Sequence, residues 1–319
     1  MGPPSSSRKY KSKSWIGYEL AFLVMELRHL RYLVTVVDEG TVTAAAEVLH
    51  VAQPGISAQL RQLERELGET LLERGPRAVV PTEAGLAVLP HARAALAAAD
   101  GARDAIAALR GLVRGRVAVG MASSLPDTVL ADPVGAFATA HPGVDVTLRE
   151  GTADDLLGEL RSGRLDVAVL GLPGDPPSGI ESRVLMEERL VAAVAADDTA
   201  AGLDVFPLAG LAGRRLICLP PGHGLRAALD TALTAHGTAT RVAFEAGSMN
   251  LLLRLAASGA GVAIVPEPAL RAPAVLALDR PPVAVPLEPE VRTRLHLAWR
   301  AGGPAGPAAR ALLENLGTG

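Results

Sequence analysis

The chain has 319 residues, of which 49% are apolar and only 3% aromatic, and its net charge is −3. This length accommodates one small and one larger domain, and so few aromatic residues imply a core of alanine, valine and leucine. A single cysteine excludes a disulfide framework, and no stretch approaches the ~20 apolar residues of a membrane span, so we expect a cytoplasmic protein without a membrane partner.

Residues 1–24 differ in composition from the rest of the chain. They hold all three lysines (Lys9, Lys11 and Lys13), five of the thirteen serines and four of the nine aromatic residues. We interpret them as a disordered upstream extension or a start-site artefact. A signal peptide is the alternative, but Glu19 interrupts the apolar run, which falls short of the roughly 7–15 residues that such a segment needs.

Residues 43–66 have the pattern of a helix-turn-helix. Thr43 is positioned to cap a short helix over 44–50, and Pro54 suits the first turn of a second helix, where its missing N–H is harmless. A buried stripe is predicted at Ile56, Leu60, Leu63 and Leu67. Groups that can donate to bases and phosphates occupy the other face, at Gln53, Ser57, Gln59, Arg61, Gln62 and Arg65. Periodicity alone favours the alternative, an ordinary amphipathic helix pair with a solvated polar face.

The flanking segments reverse that preference. Before residue 43, a helix is predicted from Met25 with Leu27, Leu30, Leu33 and Val37 on one side. After residue 66, residues 71–85 predict a hairpin wing that leads into another helix. Together, residues 25–85 resemble the amino-terminal domain of LysR-type transcriptional regulators. The matching elements are Ala45, Ala46, Gln53, Pro54, Ser57, Gln59, Leu63, Glu64, Leu67, Gly68, Leu71, Arg74, Thr82, Ala84 and Gly85.

The resemblance implies a winged helix-turn-helix over 25–82 that binds an interrupted palindromic operator in double-stranded DNA. The residues expected to contact DNA are Thr43, Gln53, Pro54, Ser57, Gln59, Arg61, Arg74 and Arg77. Two departures from the family pattern bear on this. Ala52 replaces the usual capping serine, a loss of about 1 kcal/mol of helix stability. Ala58 stands where many members carry an arginine that reaches DNA, which puts the base preference in doubt.

Charge does not by itself support DNA binding. Residues 25–85 contain six arginines, no lysine and nine acidic residues, a net charge of −3. Non-specific affinity depends on neutralising phosphates, so we expect it to be weak, and the placement of the arginines must compensate. Arg28 and Arg65 fit a solvated surface equally well.

Residues 83–112 predict a long alanine-rich helix. Thr82 is a favourable helix start, and Pro90 should kink the helix because its ring clashes one turn back. Small side chains allow two such helices to approach closely, so we expect Leu89 and Leu96 in a seam between two copies. The dimerising linker helix of the LysR-type family fits this interpretation, and the resemblance implies a dimer or tetramer.

From residue 116 the pattern changes to short apolar strands alternating with helices, which indicates a mostly parallel α/β sheet. Strands are predicted over 117–120, 144–148, 166–170, 190–195, 215–219, 242–246, 261–265, 283–286 and 294–299. Helices are predicted over 130–141, 154–162, 224–236 and 248–258, with a last one through 316.

This second region resembles the effector-binding domain of the same family, which is similar to periplasmic binding proteins. The fold class predicted is therefore α/β, two-lobed, with an all-α winged helix-turn-helix domain before it. Within the effector domain (115–312), lobe I spans about 115–186 and 282–312, and lobe II about 187–281. Two crossing strands would join the lobes around a cleft that closes on a small molecule.

Effector contacts are expected where strands end and helices begin, because helix N-termini favour anions. The candidates are Ser123, Ser124, Thr152, Pro221, His223 and Ser248. Thr152 also fits a plain N-cap with Asp155 as its capping-box partner. His223 is the expected pH-sensitive contact, although an exposed loop histidine is the commoner outcome. This lining suits a small organic acid or amino acid.

Enzyme motifs are missing from the sequence. The seven histidines occur singly without metal-ligand spacing, and no nucleophile-elbow or phosphate-loop pattern occurs. Cys218 fits a buried packing thiol better than a sensor. We therefore expect a regulator without cofactor or metal, with DNA, an effector, its own copies and RNA polymerase as partners. The alternative is a solute-binding module or enzyme on the two-lobed fold.

Overall fold

A computed structural model describes residues 25–75, 78–108, 114–126, 128–304 and 306–316. The predicted extension over 1–24 and Arg77 lie outside these residues. The chain separates into two compact units, Met1–Leu96 and Ala97–Gly319.

The first unit is a three-helix domain with a β-hairpin wing. It contains α1 (Leu27–Glu39), α2 (Val42–Leu49), α3 (Gln53–Leu67), β1 (Leu72–Arg74), β2 (Val79–Pro81) and the start of α4 (Glu83–Ala108). The wing strands pair antiparallel, with Glu73 opposite Val80. Apolar residues of α1, α2, α3, the hairpin and the start of α4 meet in one core. Leu33, Ile56 and Leu63 are fully buried in it.

Several predicted details of this unit are wrong. Thr43 does not cap α2; the cap is Thr41, whose Oγ1 accepts the Ala44 N–H at 3.1 Å. Leu67, predicted in the buried stripe of α3, is 38% exposed at the last turn of the helix. Helix ends extend past the core, so an apolar residue there keeps the helical spacing without being covered.

The first turn of α4 is fixed to the base of the wing. The Thr82 N–H donates to Leu71 O at 3.0 Å, and Thr82 Oγ1 donates to Thr70 O at 2.7 Å. A Cβ on Gly85 would lie 2.1 Å from Leu71 O, so only glycine permits this contact. Leu89, one turn further on, is 5% exposed and belongs to the core of the first unit. Its predicted place in a seam between copies is therefore wrong.

The second unit alternates strands and helices. Its strands are β3 (Gly115–Ala122), β4 (Val144–Gly151), β5 (Val167–Leu172), β6 (Ile180–Val194), β7 (Phe206–Pro207), β8 (Arg215–Cys218), β9 (Arg241–Glu245), β10 (Val262–Pro266), β11 (Val283–Glu288) and β12 (Arg292–Arg300). Its helices are α5 (Thr128–Ala140), α6 (Ala153–Ser162), α7 (Gly224–Ala235), α8 (Met249–Ala257), α9 (Pro273–Leu276) and α10 (Pro307–Asn315).

Two sheets share the long strand β6. Its first part pairs antiparallel with β12, which continues to β5, β3 and β4 in the first lobe. Its last part, from Leu190, pairs antiparallel with β10 on one side and β11 on the other, and β10 continues to β8 and β9 in the second lobe. The β3–β4, β3–β5, β8–β9 and β8–β10 pairs are parallel.

The chain crosses between the lobes twice, once within β6 and once between β11 and β12. The prediction that residues 282–312 return to the first lobe is wrong for strand β11. Val283 pairs with Val194, and Val285 and Leu287 are buried in the core of the second lobe. Only β12 and α10 complete the first lobe, where Leu297 and Leu312 are fully buried.

Candidate DNA-binding surface and effector site

Helix α3 presents an exposed stripe opposite its buried face. Ile56 and Leu63 are fully buried, so the helical period of about 3.6 residues turns Pro54, Ala58, Arg61 and Arg65 outwards. We call these four residues the exposed stripe of α3. The helix begins without a side-chain cap at Ala52, which leaves N–H groups of its first turn open to an external acceptor.

The predicted polar contacts of α3 fall into two groups. Gln53 is exposed, and its Nε2 donates to Ser57 Oγ at 3.2 Å. Ser57 is itself only 6% exposed, so it supports Gln53 instead of lying on the exposed stripe. Gln59 is half-buried, with Oε1 2.6 Å from Nε2 of the fully buried His29 on α1. The structure therefore gives Gln59 a role in joining two helices of the domain.

Sequence reasoning missed His29, although its position one turn before Leu33 on α1 could have revealed that it faces the core. Two other predicted DNA contacts, Thr43 and Arg61, have exposed side chains. Thr43 lies in the first turn of α2, Arg61 lies on α3, and Arg74 ends the first wing strand. The Arg61 Nε donates to Ser57 O at 3.1 Å, which holds this side chain along the helix.

The two lobes of the second unit meet at the start of α6. Thr152 is the N-cap of this helix, and its Oγ1 accepts the Asp155 N–H at 3.2 Å and donates to Asp155 Oδ2 at 2.7 Å. The capping box that the sequence offered as an alternative is thus present. From the second lobe, Gly222 O accepts the Asp154 N–H at 3.3 Å. Gly222 has a φ of +87°, and a Cβ there would lie 3.4 Å from Thr152 Oγ1.

His223 lies beside this contact between the lobes. It is 4% exposed, and its Nδ1 is buried without a hydrogen-bond partner. Burial lowers the pKa of His223, while the nearby Asp154 and Asp155 carboxylates act in the opposite direction. The alternative of an exposed loop histidine is therefore wrong. Sequence reasoning missed Asp154, because only the tertiary fold brings it to His223.

Glycine at position 224 allows the backbones of the two lobes to touch. Gly224 begins α7, and a Cβ there would lie 1.9 Å from Gly171 O at the end of β5. Gly171 is less restricted, since its own Cβ would meet its nearest neighbour, Thr293 Oγ1, at 3.7 Å.

The remaining effector candidates follow strands of both lobes. Ser123 follows β3, and its N–H donates to Gly151 O at 3.0 Å, directly before Thr152. Ser124 is half-buried beside it, and Pro221 is exposed just before Gly222. Ser248 follows β9 and caps α8, accepting the Leu251 N–H at 3.4 Å. Ser123 thus contacts the residue before Thr152, and Gly222, the residue before His223, lies beside Thr152.

Cys218 is a buried residue of the second lobe. Burial raises the pKa of its thiol to about 11, and the Arg226 guanidinium donates to Leu219 O beside it at 3.0 Å. Among the described residues, no three histidine, cysteine or acidic side chains are grouped to hold a metal ion. Within the same residues, no helix has the length and apolarity to cross a membrane.

A winged helix-turn-helix followed by two α/β lobes that touch around polar residues defines a ligand-responsive DNA-binding protein. Residues 27–86 match the bacterial regulatory helix-turn-helix of the lysR family, and residues 110–319 match the LysR substrate-binding domain. The chain belongs to the LysR family of transcriptional regulators. It is a DNA-binding regulator with an effector-binding domain.

Relatives of known role agree with this assignment. The chain is 33% identical over 92% of its length to the nitrogen assimilation regulatory protein nac of Klebsiella aerogenes, covering 94% of that protein. It is 30% identical over 88% of its length to the dual regulator OxyR of Escherichia coli K12, covering 91% of it.

Solved structures have the same fold over nearly the whole chain. A full-length OxyR variant from Pseudomonas aeruginosa has a TM-score of 0.74 at 24% identity and covers 92% of this chain and 94% of its own. Full-length CbnR complexed with its target DNA has a TM-score of 0.55 at 28% identity and covers 92% of this chain and 99% of its own.

Proposed function

We propose that α3 enters the major groove of an operator. Gln53, Pro54 and Arg61 would lie at the base edges, and Arg65 would lie near the phosphate backbone of the DNA. Amide and guanidinium groups are suited to base edges and phosphates. Arg74 and Arg77 of the wing would contact the DNA backbone or minor groove. Because regulators of this family act on DNA, we place its action in the cytoplasm. We assign it no catalytic activity.

We further propose that the effector binds where the lobes meet, beside Thr152, Gly222 and His223. The observation that carries this proposal is the unpartnered Nδ1 of His223, which is buried directly next to the contact between the lobes. A buried polar atom without a partner costs free energy, and a ligand atom would remove that cost. A ligand held by both lobes would favour their closed arrangement through its differential affinity.

Charge narrows the effector class to amino acids. The start of α7 offers N–H groups to a carboxylate, whereas the carboxylates of Asp154 and Asp155 act on His223 from the first lobe. A simple organic acid would meet that negative charge without compensation, but the ammonium group of an amino acid would pair with it. We therefore prefer an amino acid to the organic acid that the sequence also allowed.

The thiol chemistry of this chain gives no support to peroxide sensing. Several relatives are hydrogen peroxide-inducible genes activators. This chain has one cysteine, and a thiol with its pKa raised to about 11 is almost fully protonated at neutral pH. Since the thiolate is the reactive form, we infer that the signal is a bound molecule and not oxidation of Cys218.

Thermal unfolding with matched ligand pairs tests the effector proposal. Each amino acid is compared with the acid that lacks its amino group, for example glutamate with glutarate. We expect one amino acid to raise the Tm while its partner does not, because only the amino acid can pair with Asp154.

Two variants of the capping threonine serve as a matched pair in that assay. Thr152→Ser keeps the hydroxyl group and should keep the ligand-induced shift, whereas Thr152→Val should lose most of it. Stabilisation by organic acids alone, or an unchanged shift in Thr152→Val, would contradict the proposed site.

A further inference from the structure

The first turn of α3 contains a glycine that the fold of this chain does not require. Gly55 is exposed within the helix, it does not have a positive φ, and a Cβ there would meet nothing within 4 Å. Glycine stabilises a helix less than alanine does, because it loses more conformational freedom on folding. A glycine that neither backbone conformation nor packing requires is typical of a position where another molecule approaches the backbone closely.

Ala58 lies one turn after Gly55 on the same exposed surface of α3. Residues three apart are neighbours on a helix surface, and Ala58 is exposed at the centre of the exposed stripe of α3. With Pro54, these residues form a low apolar strip, defined here as Pro54, Gly55 and Ala58.

The polar residues beside the strip are held along the helix and do not stand over it. Gln53 Nε2 donates to Ser57 Oγ at 3.2 Å, and Arg61 Nε donates to Ser57 O at 3.1 Å. The low apolar strip is therefore open to the surface that α3 faces.

In the major groove, the apolar group that proteins read is the C5 methyl of thymine, which alanine contacts directly. We propose that Gly55 lets α3 approach the bases closely and that the Ala58 methyl packs on a thymine methyl, so this regulator selects thymine at that position of each half-site. This inference rests on the proposed entry of α3 into the major groove.

The test begins by selecting operators for the full-length protein from a random duplex library. In a selected duplex, each thymine is then replaced by deoxyuridine, which lacks only the C5 methyl. Replacing the contacted thymine in one half-site should weaken binding by about fourfold, the value of burying one methyl group. In Ala58→Gly that same replacement should have no effect, because the methyl partner on the protein is gone.

The outcomes separate the two levels of the proposal. If the library yields no enriched sequence, the proposed function itself fails. If a sequence is enriched but no deoxyuridine replacement depends on Ala58, the operator readout stands and the contact between Ala58 and thymine is wrong.

A second measurement tests Gly55 with a matched control. Gly55→Ala should raise the Tm of the full-length protein and yet weaken binding to the selected duplex at least tenfold, because the new methyl group keeps α3 away from the bases. Gly158, exposed inside α6, also has nothing within 4 Å of a Cβ. Gly158→Ala should raise the Tm without affecting DNA binding. A lowered Tm or unchanged DNA binding in Gly55→Ala would overturn the role given to Gly55.

Discussion

Gln53 and Gln59 lie on the same helix and carry the same side chain, yet their surroundings differ. Gln53 is exposed at the helix start, whereas Gln59 contacts the buried His29 of α1. The sequence predicted the polar face of α3 but could not separate these two roles, because the partner of Gln59 comes from a helix thirty residues earlier. Residue types predict which groups are available, and tertiary packing decides what each of them contacts.

Replacing Gln59 with alanine should lower the free energy of unfolding of the first unit by about 1–3 kcal/mol, because it leaves the imidazole of His29 buried without this partner. Gln62→Ala is the control on the same helix: its Nε2 bonds Glu66 at the surface at 2.9 Å, and surface changes usually stay within about 0.5 kcal/mol. Denaturant unfolding of both variants provides the measurement, and equal losses would argue against a structural role for Gln59.

At the scale of elements, apolar periodicity predicted most helices and most strands of the second unit. It missed the first part of β6, predicted only over 190–195 but observed from Ile180. That part carries Glu181, Arg183 and Glu187 and lies half-exposed against β12. Because backbone pairing with β12 holds this part in the sheet, it needs no continuous apolar run. Apolar periodicity also does not determine which strands pair. The sequence therefore predicted strand β11 but not its pairing with β6.

Helix α4 has two faces with different environments in the first unit. Leu89 is buried in the core, whereas Leu86, three residues earlier, is 59% exposed. Leu89→Glu should therefore unfold this unit, at a cost of about 3 kcal/mol or more for the buried charge. Leu86→Glu should leave the unit folded and weaken self-association, because its side chain is free to lie between copies.

Sedimentation and thermal unfolding of the two variants separate these effects. We expect Leu86→Glu to shift the protein towards monomers at an unchanged Tm. Intact oligomers in Leu86→Glu would show that Leu86 does not lie between copies.

At the scale of the effector-binding unit, the two lobes are connected by β6 and by the chain between β11 and β12. They also touch where Gly224 meets Gly171 and where Gly222 accepts a hydrogen bond from Asp154. The sequence predicted two lobes and named Thr152 and His223, which lie where the lobes touch, but it missed Asp154. It could not predict that the lobes meet through glycine backbones, because such a contact involves no side chain whose type could indicate it.

Gly224→Ala should prevent the lobes from meeting, since its Cβ would lie 1.9 Å from Gly171 O. Overpacking of this kind destabilises by about 1–3 kcal/mol, and the variant should also lose the Tm increase that the effector produces. Gly135→Ala is the control, because Gly135 is exposed in α5 with nothing within 4 Å of a Cβ. A normal effector response in Gly224→Ala would show that ligand binding does not need this contact.

The contact between Gly85 and Leu71 has a mechanical consequence. A backbone and a hydroxyl hydrogen bond from Thr82, together with the close approach at Gly85, fix the first turn of α4 to the base of the wing. A rotation of this turn would therefore move the base of the wing with it. For this part of the regulator, the direction in which α4 points sets the direction in which the wing points.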